Sequence, residues 1–490
     1  MKTEPIMPKY QSFLTDESKV TGFAEEIIFP TDLSDICLAL QYANENGKKV
    51  TVQGSRTGIV GGAVPRSGIV LNLSKMNRIL GSRNDENSCY LKVQAGVTLK
   101  QIETKVNSKG FFFPPNPTED TATIGGVFSS NAAGSNCLIY GDSSKYISEL
   151  SFVTTKGELW SIKRGEYVFV NNKCNLPNGA EIKIPTGLPH SPIKIFSEGM
   201  DLIDFLSGTE GILGVAVEFE LELLPLPKEI WGVVYFFNEL EQAIDFSRKL
   251  LDWKAQDENA SLMATEFYDK GTLKLLNDSR QSNILLKSLP QFPQNACTAI
   301  YTELCGDNSD IVETSLMEHL NLFLEVGGAE EDTWAESGTS SIKRFRDMRH
   351  AVPSIINEMI NLDNKNDYKR WETDFSGCPE MFEDYLNLYY KALENNELNG
   401  LIYGHILNNR MHLALLPENT EQESLCNSVM QQLDEKVMQK QGFLITENGV
   451  GILKQSLVRK FMPKAVTELI EIILHTFDPN KCMKYSMKEE

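Results

Sequence analysis

The chain has 490 residues, 41% of them hydrophobic and 23% charged. That balance supplies large apolar cores and excludes wholesale disorder. Its formal charge of −20, from 47 basic and 67 acidic residues, gives a surface that repels phosphate backbones, so nucleic acid is excluded as an expected partner.

Length predicts about two to four domains. No run of about 18 apolar residues occurs, so no transmembrane helix is expected. The opening residues 1–18 lack the apolar stretch of a signal peptide. The nine cysteines are scattered without a Cys-x-x-Cys pair, which argues against an iron–sulfur cluster. Their odd number suits reduced thiols, hence a cytoplasmic protein, with peripheral association with a membrane left open.

In chain order, Leu33, Ile36, Cys37 and Leu40 form an apolar stripe that predicts a helix over 32–46, with Thr31 as its N-cap. Residues 49–53 alternate as a strand, and 68–73 read as another. Short strands follow at 90–95, 149–154 and 214–224, with a helix near 98–108. The first ~225 residues therefore read as mixed α/β. Leu224-Pro225-Leu226-Pro227 marks a boundary, because two prolines break periodicity and deny ladder donors. Beyond it helical patterns dominate, at 239–251, 312–324, 341–360, 379–393, 421–440 and 458–477. Strands interrupt them at 298–304 and 411–416.

Three segments of small residues stand out. Gln53 to Ala63 holds Gly54, Ser55, Arg56, Thr57, Gly58, Gly61 and Gly62 directly after a predicted strand. Glycines admit a bulky anion to the backbone, whose N–H groups can cradle phosphate; the same loop could be no more than a tight turn. The spacing is not G-x-G-x-x-G, which argues against a Rossmann site. Residues 114–134 are dominated by small side chains that leave room for a flat ligand. Residues 207–214 form a glycine-rich turn into the last strand before the boundary.

In this order and spacing the three segments resemble the FAD-binding domain of vanillyl-alcohol-oxidase-type flavoproteins. The chain is most similar within them to the FAD-linked oxidases: the glycolate oxidase flavin subunit, D-lactate dehydrogenase and D-2-hydroxyglutarate dehydrogenase. Leu14-Thr15-Asp16-Glu17-Ser18 and Phe477-Asp478-Pro479 also fit. The resemblance implies an α+β fold. A PCMH-type FAD-binding domain of two subdomains over 1–226 would be followed by an α+β substrate or cap domain with an antiparallel sheet over 227–490.

The resemblance also implies roles. Residues 54–63 would wrap the FAD pyrophosphate, with Arg56 helping to neutralise its charge. Pro115, Thr118, Thr123, Gly125, Gly126, Ser130, Asn131 and Gly134 would line the flavin and ribityl chain, with Tyr140 and Gly141 at the end of that stretch. Glu210, Gly211 and Gly214 would close the pocket. No histidine lies in the first loop, so FAD is expected to be non-covalent.

The second half holds His405 and His412, then Glu447-Asn448-Gly449. Two imidazoles and a carboxylate suit Zn²⁺ or a similar divalent ion. The plain alternative is two half-buried histidines at strand ends. The resemblance implies that His405, His412 and Glu447 are metal ligands. It also implies a general-base histidine at the position held here by Asn448, and an amide cannot accept a proton at neutral pH. Arg410 stands where the family has a substrate-facing asparagine. Residues 344–353 resemble the family's helix that grips the substrate carboxylate, with Arg349 the best match; a solvated basic helix face is the alternative. His350 is the nearby histidine that could replace the missing base.

The expected activity is oxidation of a small D-2-hydroxy acid, such as lactate or glycolate, by hydride transfer to flavin N5. A quinone, an electron-transfer flavoprotein or a partner subunit would take the electrons, and a homodimer is compatible with this expectation. Two alternatives stay open: a flavoprotein with another substrate, shaped by Arg410 and Asn448, and a non-catalytic FAD-binding subunit.

Overall fold

The computed structural model describes residues 1–85, 88–117, 119–257, 259, 261–362 and 371–483. The chain divides into two compact units. The first is Met1–Gly134, Gly141–Leu226 and Glu447–Glu490; the second is Ser135–Tyr140 with Pro227–Thr446. The break after Leu226 falls at the prolines that mark it in the sequence. The C-terminal segment, by contrast, returns to the first unit.

The first unit holds two main sheets. In one, β1 (Thr3–Pro5), β2 (Glu26–Ile28), β3 (Val50–Gln53) and β4 (Ile69–Asn72) run in the order β1-β2-β4-β3. Strand β4 is parallel to both β2 and β3. Full burial of β4 fits its unbroken Ile-Val-Leu run. The helix Leu33–Glu45 buries Ile36, Ala39, Leu40 and Ala43. Its N-cap is Asp32 rather than Thr31: the Asp32 carboxylate accepts from the Asp35 N–H at 3.1 Å. Such a cap contributes about 1 kcal/mol.

The larger sheet is antiparallel, in the order β5-β6-β12-β8-β9, formed by β5 (Ile79–Asn84), β6 (Cys89–Gln94), β8 (Ile147–Thr154), β9 (Leu159–Lys163) and β12 (Gly214–Pro225). The short β7 (Phe111–Phe112) pairs with the end of β12, and β10 (Lys173–Asn175) with β11 (Glu181–Lys183). The in–out alternation of β12 follows its sequence, Val215, Val217, Phe219, Leu221 and Leu223 inward, with Ala216 and then glutamates between them. The first loop links two parallel strands without a helix following it, so no Rossmann unit is formed.

The second unit is built on a seven-stranded antiparallel sheet, order β16-β13-β15-β14-β18-β19-β17. Its strands are β13 (Glu229–Phe237), β14 (Leu262–Tyr268), β15 (Thr298–Gly306), β16 (Thr333–Ser337), β17 (Trp371–Glu372), β18 (Gly400–His405) and β19 (Arg410–Leu415). Tyr235 and Phe237 pack on one face with Phe246 and Phe323 of two covering helices. The other face, carrying Val234, Tyr301, Tyr268 and Tyr403, is covered by the helix Thr339–Leu362 through Phe345, Met348 and Val352. The helix expected over 458–477 is two, Gln455–Phe461 and Lys464–Phe477, because Pro463 cannot continue the first.

Candidate active site

In the first unit, the base of the loop 54–63 is held by buried amides. The Gln53 side chain donates to the carbonyls of Phe13 (2.8 Å) and Ala63 (2.7 Å), and Asn72 donates to the Gly54 carbonyl at 3.2 Å. Asp16, buried, accepts from the Ala63 N–H at 3.3 Å. The glycines divide by role. A Cβ on Gly58 would meet nothing within 4 Å, whereas one on Gly54 would lie 2.2 Å from Thr123 Oγ1. A Cβ on Gly125 would press on Ala95 (2.9 Å), and one on Gly134 on the Pro115 carbonyl oxygen (1.7 Å). Gly54, Gly125 and Gly134 thus serve close backbone packing, and Gly58 marks the open side of the cradle.

The three small-residue segments do come together. Thr123 caps the helix Ile124–Ser130 by accepting from the Gly126 N–H. Ser130 donates back to the Gly126 carbonyl. Asn131, left-handed at φ 49°, accepts from the Ser207 hydroxyl at 3.1 Å. The Glu210 N–H donates to the Ser129 carbonyl at 2.8 Å. Gly211 (φ +75°) and Gly214 (φ +148°) turn the chain where a side chain would be strained. Ser55, Thr57 and Gly62 lie half-buried along the loop. Thr118 lies outside the described residues.

Two residues differ from expectation. Arg56 turns away from the loop: it donates to the Ser12 carbonyl at 2.6 Å and stacks 4.3 Å above the Phe13 ring. Glu210 binds backbone. Its carboxylate accepts from the N–H groups of Val450 and Gly451, the latter at 2.9 Å. The Val60 carbonyl accepts from Ile452 at 2.8 Å and Leu453 at 3.1 Å. The returning segment that carries Glu447 and Asn448 is therefore pinned to both the first loop and the third.

In the second unit, two arginines three positions apart on one helix meet two buried glutamates on neighbouring strands. Arg346 grips Glu303 with two hydrogen bonds, 2.8 Å from Nε and 2.6 Å from Nη2, and Tyr301 donates to the same carboxylate at 2.7 Å. Burial alone would pull the Arg346 pKa down, but the charge and hydrogen bonds of Glu303 raise it by more. Arg349 forms an ion pair with Glu266, its Nε 2.8 Å from Oε1. That oxygen also lies 3.0 Å from His405 Nδ1, and His405 Nε2 lies 2.8 Å from Arg349 Nη2. Neither glutamate is evident in the sequence, although paired arginines at helical spacing facing a strand would have signalled them.

His412 turns Nδ1 to the Thr373 carbonyl at 2.8 Å, and stands across from Tyr403 in the β18–β19 register. Arg410 pairs with His405 in the same register. His350 is a poor replacement base: burial, then the neighbouring Arg349 charge, lowers its pKa to about 4. Its protonated form is too acidic to hold a proton near neutrality.

Both ring nitrogens of His405 are engaged by Glu266 and Arg349. Among the described residues no group of three or more His, Cys, Asp or Glu side chains is arranged to hold a metal ion. Glu447 belongs to the first unit, His405 and His412 to the second. His405 as found here does not fit a divalent cation.

Residues 24–163 match the family model described as an FAD binding domain, and 226–484 match that of the FAD linked oxidases, C-terminal domain. The chain belongs to the FAD-linked oxidases. It is a flavoprotein oxidoreductase that binds FAD. The open, small-residue cradle around Gly58 fits such a group. The chain is 23% identical over 487 residues to D-lactate dehydrogenase of Anaerostipes hadrus, covering 96% of this chain and 91% of that protein. It is 24% identical to D-2-hydroxyglutarate dehydrogenase of Xanthomonas citri pv. viticola, covering 93% and 87%. It is 22% identical to glycolate oxidase subunit GlcD of Bacillus subtilis, covering 97% and 89%. Its fold is similar to a solved alkyldihydroxyacetonephosphate synthase at TM-score 0.62 and 13% identity, covering 95% of this chain and 77% of that one.

Proposed function

We propose that this chain is an FAD-dependent dehydrogenase of a small D-2-hydroxy acid of the lactate or glycolate kind, with the flavin held non-covalently. The observation that carries the reading is Arg349. Its guanidinium is fixed on a helix by a buried glutamate and an imidazole, and an immobilised guanidinium is suited to a carboxylate. The relatives named for D-lactate, D-2-hydroxyglutarate and glycolate support the same substrate class.

FAD held non-covalently would supply the acceptor for the hydride from the substrate's Cα, with the hydroxyl proton passing to water. Residues 54–63 cradle the pyrophosphate, and the buried amides of Gln53 and Asn72 hold that loop in shape. Glu210 and the Val60 carbonyl fix the segment bearing Asn448. Arg349 holds the substrate carboxylate. Asn448 offers a donor and an acceptor to the hydroxyl but takes no proton. A quinone, an electron-transfer flavoprotein or a partner subunit receives the electrons. No disulfide joins any of the nine cysteines, which supports a cytoplasmic setting. No described helix is long and apolar enough to cross a membrane.

Asn448 favours one second reading, a different alcohol or acid whose proton is already labile. The experiment is anaerobic mixing of the yellow protein with a panel of D-2-hydroxy acids. Bleaching of the flavin by at least one of them is expected. A flavin that none reduces removes the hydroxy-acid reading.

A further inference from the structure

We propose that the first unit carries a second ligand site, a basic cavity that binds a small anion bearing a polyphosphate group. The cavity, of about 520 Å³, lies between the start of β5 and the helix Leu99–Asn107. Lys100, Lys105 and Lys109 line it together with Asn77, Ile79 and Thr104. Its volume falls within the ~300–1,000 Å³ usual for small-molecule sites. The helix is a fixed wall. Thr98 and Gln101 close a capping box at its start, and Leu99, Ile102 and Val106 are buried beneath it. The three lysines are left exposed.

Charge singles the cavity out. In a chain of formal charge −20, lysines elsewhere stand against carboxylates: Lys48, Lys249, Lys343 and Lys440 each lie 2.5–2.8 Å from one. Among the described residues neither Lys105 nor Lys109 forms an ion pair. Lys100 stands 3.3 Å from Asp120, and both side chains are well exposed, so that pairing contributes little. The helix does not account for the three charges. Its dipole favours Lys105 in the last turn but disfavours Lys100 in the first. Lys105 and Lys109, four positions apart, repel each other. A multivalent anion satisfies all three. The acidic surface repels a long polyanion, but salt screens that field beyond ~8 Å, so a small anion meets the local charge. The donors select phosphate. Ammoniums are point charges that suit phosphate oxygens, whereas a forked grip on a planar carboxylate needs an arginine, and among the described residues none lines the cavity. Ile79 and the lysine stems supply an apolar wall for the group that carries the phosphates.

The site is independent of the hydroxy-acid reading. Its test is calorimetry of the FAD-loaded protein with tripolyphosphate and with magnesium-free ATP. One saturable site per chain is expected, weakening as salt is raised. Tighter binding of ATP identifies a nucleotide as the occupant, and equal affinity a free polyphosphate; both support the site. The double variant Lys105→Gln, Lys109→Gln should lower affinity about tenfold or more, the order that one charge-assisted contact contributes. A control, Lys274→Gln, Lys464→Gln, removes the same charge from exposed positions on other helices and should leave affinity unchanged. Absence of saturable binding by either anion overturns the inference. So does an equal loss in the two double variants, because binding would then follow net charge alone. Labelling decides without any variant: tripolyphosphate should slow acylation of Lys105 and Lys109 relative to Lys274. Unchanged labelling of the two lysines also overturns the site.

Discussion

The carboxylate of Glu210 accepts a hydrogen bond from the Gly451 N–H at 2.9 Å, joining positions 241 residues apart. Glu210 itself is left-handed at φ 52°, a conformation that costs a non-glycine residue energy. The strain is offset by two backbone N–H groups that would otherwise be without this acceptor. Glu210→Ala should cost about 1.5–3 kcal/mol, the value of hydrogen bonds to a charged group. Protease sensitivity within 447–454 should rise and FAD content should fall. Glu210→Gln should retain part of both. An unchanged melting temperature in the alanine variant would show that the segment is held by other means.

Gly58 and Gly134 should respond oppositely to alanine. At Gly58 the new methyl meets open space, so the apoprotein's stability should change by no more than about 0.5 kcal/mol, while FAD affinity falls because the cradle narrows. At Gly134 it meets a backbone carbonyl oxygen at 1.7 Å, which cannot rotate aside, so the fold itself should suffer. Denaturant midpoints with and without FAD separate the two effects.

Glu303 is fully buried and held by Arg346. Glu303→Gln or Arg346→Met alone leaves the other charge buried, and should cost about 3–5 kcal/mol. The double variant Glu303→Met, Arg346→Met should recover most of that loss. A double variant as unstable as the singles would mean that the pair is worth more than its desolvation.

His319 stands edge-on to Trp253 with ring centroids 4.3 Å apart, fully buried, and among the described residues neither ring nitrogen has a hydrogen-bond partner. Burial lowers its pKa from 6.5 to about 3. The unfolded chain therefore binds a proton that the folded chain refuses between those values. Stability is full above about pH 6.5 and is lost as pH falls toward 3, by several kcal/mol at about 1.4 kcal/mol per unit. His319→Phe should flatten that part of the stability–pH curve. A variant with the same acid sensitivity as the parent would place the cause elsewhere.

Most elements follow from local pattern. Alternation along β12 and apolar spacing in Leu240–Lys254 and Ser309–Glu325 are strong because each has one buried face. Legibility ends where contact is remote in sequence. Strand β14 is buried at every position, including Glu266, so it has no alternation to read. Gly54 and Gly134 look like ligand-facing glycines until Thr123 and Pro115 are seen against them. Arg56 has the charge expected near a phosphate, but its own left-handed backbone turns it to Ser12. The role of Glu210 depends on a segment that returns from the far end of the chain.

Asn448→His is the most direct probe of the chemistry. The pinned segment fixes the backbone that follows Asn448: Val450 and Gly451 donate to Glu210, and Ile452 and Leu453 to the Val60 carbonyl. The replacement therefore places an imidazole where the amide stood without rebuilding the loop. An amide holds a hydroxyl but leaves its proton in place, and His350, with its pKa near 4, is a weak acceptor. General-base assistance is worth about 10²–10⁴-fold, so flavin reduction by a D-2-hydroxy acid should accelerate by that order in the variant. Its rate should rise with pH through the imidazole's range near 6.5, a limb absent from the parent. Single-turnover flavin bleaching across pH measures both. An acceleration without the new limb would mean that the histidine changed binding rather than proton transfer. A variant that loses a robust parental activity would show that Asn448 is fitted to another substrate, and the hydroxy-acid assignment would give way to it.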